Sequence, residues 1–386
     1  MFSARVPQTM KPNAMTRALR ASREAGRVLL DLTVANPTQA DFHYPETLLA
    51  SLYSAEALVY EPSPFGLRGA REAVAGDYSR RGFGIDPAHI ILTTSTSEAY
   101  SILFKLLCEP SGDHVLVPLP SYPLFEYLPR LDGVTPIQYP LEYHSRWTLA
   151  IESLEEQWTT HTRAVLGVSP NNPTGSCLST VELDALAAVC ASWDAALILD
   201  EVFADYPLTA SNANNPAFEP RCLTFRLGGL SKSAGLPQVK LGWIAVQGPE
   251  ADVIAALERL EFICDAYLSV STPVQIAAGS LFNEGAAVRA QIQARVEGNY
   301  RRLTQGMAAH PSIEVLAADA GWSAVLRVPA RRNEEALVVE FLEQDGVVVH
   351  PGFFFDFPHE AFLVVSLLPP RTVFDEGISR IVRRAG

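Results

Sequence analysis

The chain has too few cysteines, and in the wrong places, for a disulfide framework or a zinc knuckle. Its 386 residues include five, Cys108, Cys177, Cys190, Cys222 and Cys264. That is an odd number with no C-x-x-C pair, so they read as packing residues in a reducing compartment. No apolar window is long enough to cross a bilayer. The basic stretch through Arg27 is followed by no apolar run of signal-peptide type. These absences exclude a membrane span and lead us to expect a cytoplasmic protein. Positive charge is also scarce. Thirty Lys and Arg against 43 Asp and Glu leave a net charge of -13, which opposes a phosphate backbone whose binding needs clustered cations, so no nucleic acid partner is expected. A small anion remains possible, because a few local donors set its site. No internal repeat or low-complexity tract is present, which removes a solenoid.

What is present is an ordinary globular composition, 48% hydrophobic and 19% charged, in a chain long enough for two domains with a cleft between them. A helix is expected from about Thr16 to Arg27, then a short extended segment from Leu29 to Val34. From Pro87 to Val246, aliphatic runs at Ile90 to Leu92, His114 to Val117, Ala164 to Val168, Ala196 to Leu199 and Trp243 to Val246 alternate with helical stretches. Strands alternating with helices predict a mostly parallel sheet covered on both faces, with ligands beyond the carboxyl ends of the strands. Ala251 to Phe262 and then Ala286 to Met307 read as long amphipathic helix. Strands at Glu314 to Leu316, Ser323 to Val328, Val347 to Val349 and Leu363 to Ser366, and a last helix, complete a smaller α+β unit.

Five segments carry chemistry. In the run from Gly228 to Val246, Lys232 sits among small residues between a loop and a strand. A lysine in a loop is ordinarily solvated. One held in a low-dielectric pocket loses its proton more easily, which a Schiff-base nucleophile requires. Asp200 ends an apolar strand, where a carboxylate either caps a helix or pairs with a protonated ring nitrogen and makes that ring a better electron sink. Asn172, in the turn Ser169 to Gly175, presents an amide on a backbone shaped by Pro173 and Gly175. Ser95, Thr96 and Ser97 open a helix, which makes them a simple N-cap or a phosphate seat. Tyr122 follows a strand in a proline-rich turn, where its ring packs in the core or stacks on a flat heterocycle.

In this order, and with Pro351 and Gly352 near the C-terminus, the segments resemble the class I/II aminotransferases of the fold type I pyridoxal phosphate (PLP) enzymes, from about Leu32 to Arg380. The resemblance implies an α/β fold. A three-layer α/β/α large domain with a mostly parallel sheet would span 41–280. An N-terminal arm and part of the small domain would span 1–40, and the α+β small domain 281–386. It further implies that Lys232 forms the internal aldimine with pyridoxal 5'-phosphate and moves the proton between the α-carbon and C4′. Asp200 would hold the pyridine nitrogen, Asn172 the ring oxygen and Tyr122 the ring face. Ser95, Thr96, Ser231 and Lys240 would bind the phosphate, with Ser97 in the same seat. Tyr60 would reach the phosphate of the neighbouring subunit, which requires a homodimer. No metal is called for.

Four positions depart from the pattern that the resemblance implies. Phe203 replaces a tyrosine that donates to the ring oxygen, a loss of about 1.5 to 3 kcal/mol. Lys240 replaces an arginine at the phosphate, exchanging a fork for a point charge. Gly229 replaces a serine. Val364 stands where an arginine would grip the substrate α-carboxylate, so Arg371, Lys240 or the Asn172 amide takes over, or the substrate is no common α-amino acid. The expected activity is a transaminase moving an amino group from a small-molecule donor to a keto acid or other carbonyl acceptor, in specialised biosynthesis. A PLP lyase or decarboxylase on the same scaffold stays open. A silent ligand sensor is a third reading, though fewer than about forty residues precede the first matched motif, too few for a DNA-binding domain. Trp322 and Phe353 to Phe355 form either an apolar pocket wall or small-domain core.

Overall fold

The computed structural model describes residues 2–7, 9–209 and 218–386. The first helix runs over Ala14–Glu24, displaced toward the N-terminus from the expected Thr16 to Arg27. Asn13 caps it by accepting from the Thr16 amide at 2.7 Å, and Gly26, at φ 66°, turns the chain away. The extended segment that follows pairs only over β1 (Leu30–Asp31).

Eight strands form the main sheet: β2 (Ile90–Thr93), β3 (His114–Leu119), β4 (Thr135–Tyr143), β5 (Trp147–Leu149), β6 (Thr162–Val168), β7 (Ala196–Asp200), β8 (Thr224–Gly229) and β9 (Gly242–Gln247). Their order is β2-β9-β8-β7-β6-β3-β4-β5. The central pairs β4·β3, β3·β6, β6·β7 and β7·β8 are parallel. β9 runs antiparallel to both neighbours, as β5 does to β4. Sequence reading missed β4, β5 and β8. β4 carries Pro136 and Pro140 on a half-exposed strand, and proline ordinarily argues against one. β8 hides a charge: Arg226 is buried because it pairs with Glu201 and donates from Nε to Gln247 at 2.7 Å.

Alternation along the strands builds the core. Val115, Val117, Leu166, Ile198, Ile244 and Val246 face one side, against Leu103 and Phe104 of the helix Thr96–Leu107 and Leu260 of the helix Glu250–Asp265. Leu116, Val165, Leu197 and Leu199 face the other, against Leu183 and Leu186 of the helix Thr180–Ser192. Trp243, Ala245 and Leu92 join a third cluster that reaches Leu281 and Val288 of the helix Thr272–Met307.

That last helix has 36 residues and is about 54 Å long. It begins fourteen residues before the expected Ala286, and the division expected after residue 280 falls inside it. Glu250–Asp265 is a separate helix, as expected. Beyond it, β10 (Glu314–Val315), β11 (Ser323–Arg327), β12 (Val347–Val348), β13 (His350–Pro351) and β14 (Phe362–Ser366) follow. Four of them make an antiparallel sheet in the order β10-β11-β14-β13, whereas β12 pairs in parallel with β1. The helix Arg371–Ala385 ends the chain. These are the α/β and α+β parts that were expected.

Candidate active site

Five of the six strands that run in one direction end near a single cavity of about 360 Å³. β2 delivers Ser95, Thr96 and Ser97, β3 delivers Tyr122, β6 delivers Asn172, β7 ends in Asp200, and β8 leads to Ser231 and Lys232. All eight line the cavity, as do Phe203 and Gly229. The arrangement follows from topology, because parallel strands bring their carboxyl ends, and the turns after them, to one edge.

Lys232 lies in a one-turn helix after β8. Its carbonyl oxygen accepts from the Tyr206 hydroxyl at 2.5 Å, which anchors the backbone. Its amine stands 5.0 Å from the Trp322 ring centroid and 5.7 Å from that of Phe203. Burial pulls the amine below its ordinary pKa, opposed in part by Asp200, so less work is needed to expose a nucleophilic lone pair. Asp200 accepts from the Tyr100 hydroxyl at 2.8 Å and the Val202 amide at 3.1 Å. Burial still raises its carboxyl to about 6. Neighbouring Glu201 is neutralised by Arg226 and by Arg81 at 3.7 Å, which leaves Asp200 as the carboxylate turned to the cavity.

The turn after β6 divides its two asparagines. Asn171 is consumed locally: it accepts from Ser121 at 2.6 Å and donates to the Pro120 carbonyl and to Thr174, both at 2.9 Å. Asn172 makes no hydrogen bond among the described residues, so its amide is left for a ligand. At the start of the helix Thr96–Leu107, Ser95 accepts from the Glu98 amide at 3.2 Å. The simple cap is therefore real, yet the helix still offers its first-turn amides to an anion. Gly242 permits the approach of β9 to that turn, since a Cβ there would lie 3.0 Å from Ser95 C and 3.2 Å from Thr96 N. At Gly229 a Cβ would meet the Leu241 carbonyl at 3.2 Å, a tight contact. Tyr122 is 40% exposed and meets Phe125 edge-on at 5.8 Å.

Two expected residues lie elsewhere. Lys240 is exposed at φ 58° and outside the cavity lining. Tyr60 is 68% exposed and borders a separate small pocket with Tyr267, so within one chain neither meets the others. Of the three groups considered for a carboxylate, only Asn172 lines the cavity. Arg371 pairs with Asp375 at 3.3 Å on the surface. Val364 does line it, as do Trp322, Phe354 and Phe355, whereas Phe353 does not. Trp322 is also core, packed edge-on against Phe203 and Tyr206, so both readings of it hold. Sequence reading missed Tyr100, His350, Ser366 and Thr33, which line the same space. Tyr100 comes in on the helix Thr96–Leu107 and Thr33 on the segment after β1, while strand register brings in His350 and Ser366.

A buried carboxylate without an ion pair among the described residues, a depressed amine, a free amide and a helix start surround an aromatic wall. Their donor chemistry fits a flat pyridine ring with a phosphate, and defines the enzymes that carry PLP on a lysine. Comparison with known proteins agrees. The chain belongs to the family "Aminotransferase class I and II", whose model matches residues 54–381. It is 25% identical over 382 residues, 95% of this chain and 92% of the relative, to Glutamate-pyruvate aminotransferase AlaA of Haemophilus influenzae. It is 27% identical over 368 residues, 94% and 93% of the two chains, to Valine--pyruvate aminotransferase of Mycobacterium tuberculosis. An aminotransferase structure from Escherichia coli superposes with a TM-score of 0.86 at 21% identity, over 99% of this chain and 97% of that one. The protein is a PLP-dependent aminotransferase. No helix of the described residues is long and apolar enough to cross a membrane.

Proposed function

We propose that the protein exchanges an amino group between an α-amino acid and an α-keto acid, with alanine and pyruvate as one substrate pair, in amino-acid biosynthesis. Pyruvate appears in the names of the two relatives above. The observation that carries the site assignment is the depressed Lys232 amine and the buried Asp200 carboxylate lining one cavity.

When bound, pyridoxal phosphate supplies the electron sink that makes a carbanion at the donor's α-carbon accessible. The chain's residues do the rest. Lys232 attaches the cofactor and, once displaced by the donor's amine, takes the α-proton at Nζ and returns it on the other side of the exchange. Asp200 would pair with the ring nitrogen, whose positive charge would keep the carboxylate ionised while the carboxylate kept that nitrogen protonated. Asn172 donates to the ring oxygen, Tyr122 covers the ring face, and Ser95, Thr96, Ser97 and Ser231 receive the phosphate. An isologous dimer supplies Tyr60 to the partner's phosphate. Exposed Tyr53, Leu58, Val59 and Tyr60 support such an interface, since apolar side chains cluster along one short segment. Five free cysteines suit a cytoplasmic setting.

Borohydride reduction of the holoenzyme should fix the cofactor's mass on the peptide containing Lys232. Mixing with L-alanine should shift the cofactor's visible absorbance to that of its amine form and release pyruvate. A label on another lysine, or carbon dioxide release without that shift, would overturn the proposal.

A further inference from the structure

The small sheet contributes one wall of the cavity, and its register fixes what that wall offers. β13 and β14 set His350 opposite Val364, while β11 and β14 set Ser323 opposite Ser366. Opposed residues share a face, as do residues two apart on a strand. These four side chains therefore form one contiguous surface, and all four line the cavity. Val364 is 2% exposed and packs with Trp147 and Val325. The Ser366 hydroxyl is occupied, donating to the Val34 carbonyl at 2.6 Å and accepting from the Leu368 amide at 3.1 Å.

The imidazole of His350 is different. Its Nδ1 is buried without a hydrogen-bond partner, and its ring is flanked by Phe354 and Phe355 at 5.6 and 5.8 Å. Neither ring nitrogen has a hydrogen-bond partner among the described residues, and because an unpaired N–H is costlier to bury than an unpaired lone pair, the apolar surroundings of Nδ1 favour the neutral form whose proton sits on Nε2. A cavity-wall imidazole whose buried Nδ1 is unsatisfied and whose Nε2 is uncommitted is open to a ligand, because buried polar groups are otherwise almost always satisfied. Among the described lining residues there is no arginine, and the one lysine is Lys232, which the cofactor takes.

Building on the aminotransferase reading, we propose that His350 binds the carboxylate of the amino donor and of its keto-acid product. A single imidazole N–H takes the part that a guanidinium fork would otherwise play. Burial depresses the His350 pKa, with Asp31 opposing, so the ring reaches the substrate as a neutral donor. A neutral donor discriminates a carboxylate from a carboxamide less sharply than a bidentate cation does. The site therefore suits donors with an apolar side chain and a single carboxylate, and offers a second carboxylate no cation.

The test compares L-alanine with L-alaninamide as donors to the holoenzyme, and measures propionate binding from the cofactor's visible absorbance. In His350→Leu, the preference for L-alanine over L-alaninamide in kcat/KM should fall by about 10- to 100-fold, and the propionate Kd should rise by a like factor. His350→Gln keeps an N–H donor and should retain most of the preference, which separates loss of the donor from loss of structure. If His350→Leu binds cofactor normally and keeps both the preference and the propionate affinity, the proposal is wrong. If the wild-type enzyme fails to transaminate L-alanine but propionate binding still depends on His350, the substrate pair is wrong and the carboxylate ligand stands.

Discussion

Replacing Asp200 with asparagine separates a stability effect from a chemical one. The carboxylate accepts from Tyr100 and Val202, yet burial raises it from 3.8 to about 6. In the cofactor-free protein the folded state thus holds the proton more tightly than the unfolded chain does. Protonation favours folding here, so stability declines as pH rises from about 4 through about 6, by about 3 kcal/mol in total. About 1 kcal/mol of that decline falls between pH 5 and 8. An asparagine side chain in its place cannot titrate. It also cannot accept both hydrogen bonds, which costs about 1 kcal/mol at every pH. The offset blurs a single measurement but cancels from the pH dependence. Urea unfolding of the apoprotein at fixed concentration should show the Asp200→Asn variant gaining about 1 kcal/mol on the wild type between pH 5 and 8. Affinity for pyridoxal phosphate should mirror this, weakening for the wild type below about pH 6, where the carboxylate is lost, and showing no such limb in the variant. A stability difference that stays flat across the range would refute the burial argument.

Phe203→Tyr places a hydroxyl on a ring that already lines the cavity. One donor to an anionic oxygen contributes about 1.5 to 3 kcal/mol, so the pH midpoint of the holoenzyme's visible absorbance should fall by about 1 to 2 pH units. Gly242→Ala drives a Cβ against Ser95 and Thr96 at 3.0 to 3.2 Å; overpacking of about 1 to 3 kcal/mol should appear as a lower Tm and weaker cofactor binding in fluorescence titration. Tyr60→Phe should weaken cofactor binding by about 10- to 100-fold if its hydroxyl reaches a partner's phosphate. A wild-type protein that sediments as an active monomer would remove that role.

Much of the site is legible in the primary structure because each piece is local. A strand, its terminal residue and the turn after it are contiguous, so Asp200, Asn172, Tyr122 and the Ser95 to Ser97 cap could be read at their strand ends. Other parts were opaque for identifiable reasons. β8 contains Arg226, whose burial depends on Glu201 and Gln247 from other parts of the chain. β4 carries two prolines on a partly exposed strand. The long helix Thr272–Met307 has Pro273 in its first turn, where a proline lacks only an N–H the helix does not use.

The sequence by itself determined which donor and acceptor groups are available for the proposed cofactor contacts, since lysine, aspartate, asparagine and a capped helix carry their functional groups wherever the chain is folded. It also determined the alternation of strand and helix that forces those groups to one sheet edge. Tertiary structure decided the rest: that Lys240 and Tyr60 lie outside the chain's own cavity, that Asn171 is consumed while Asn172 is free, and that His350 stands beside Val364. These depend on register and packing between segments far apart in the chain, where moving one strand by a single residue exchanges its two faces.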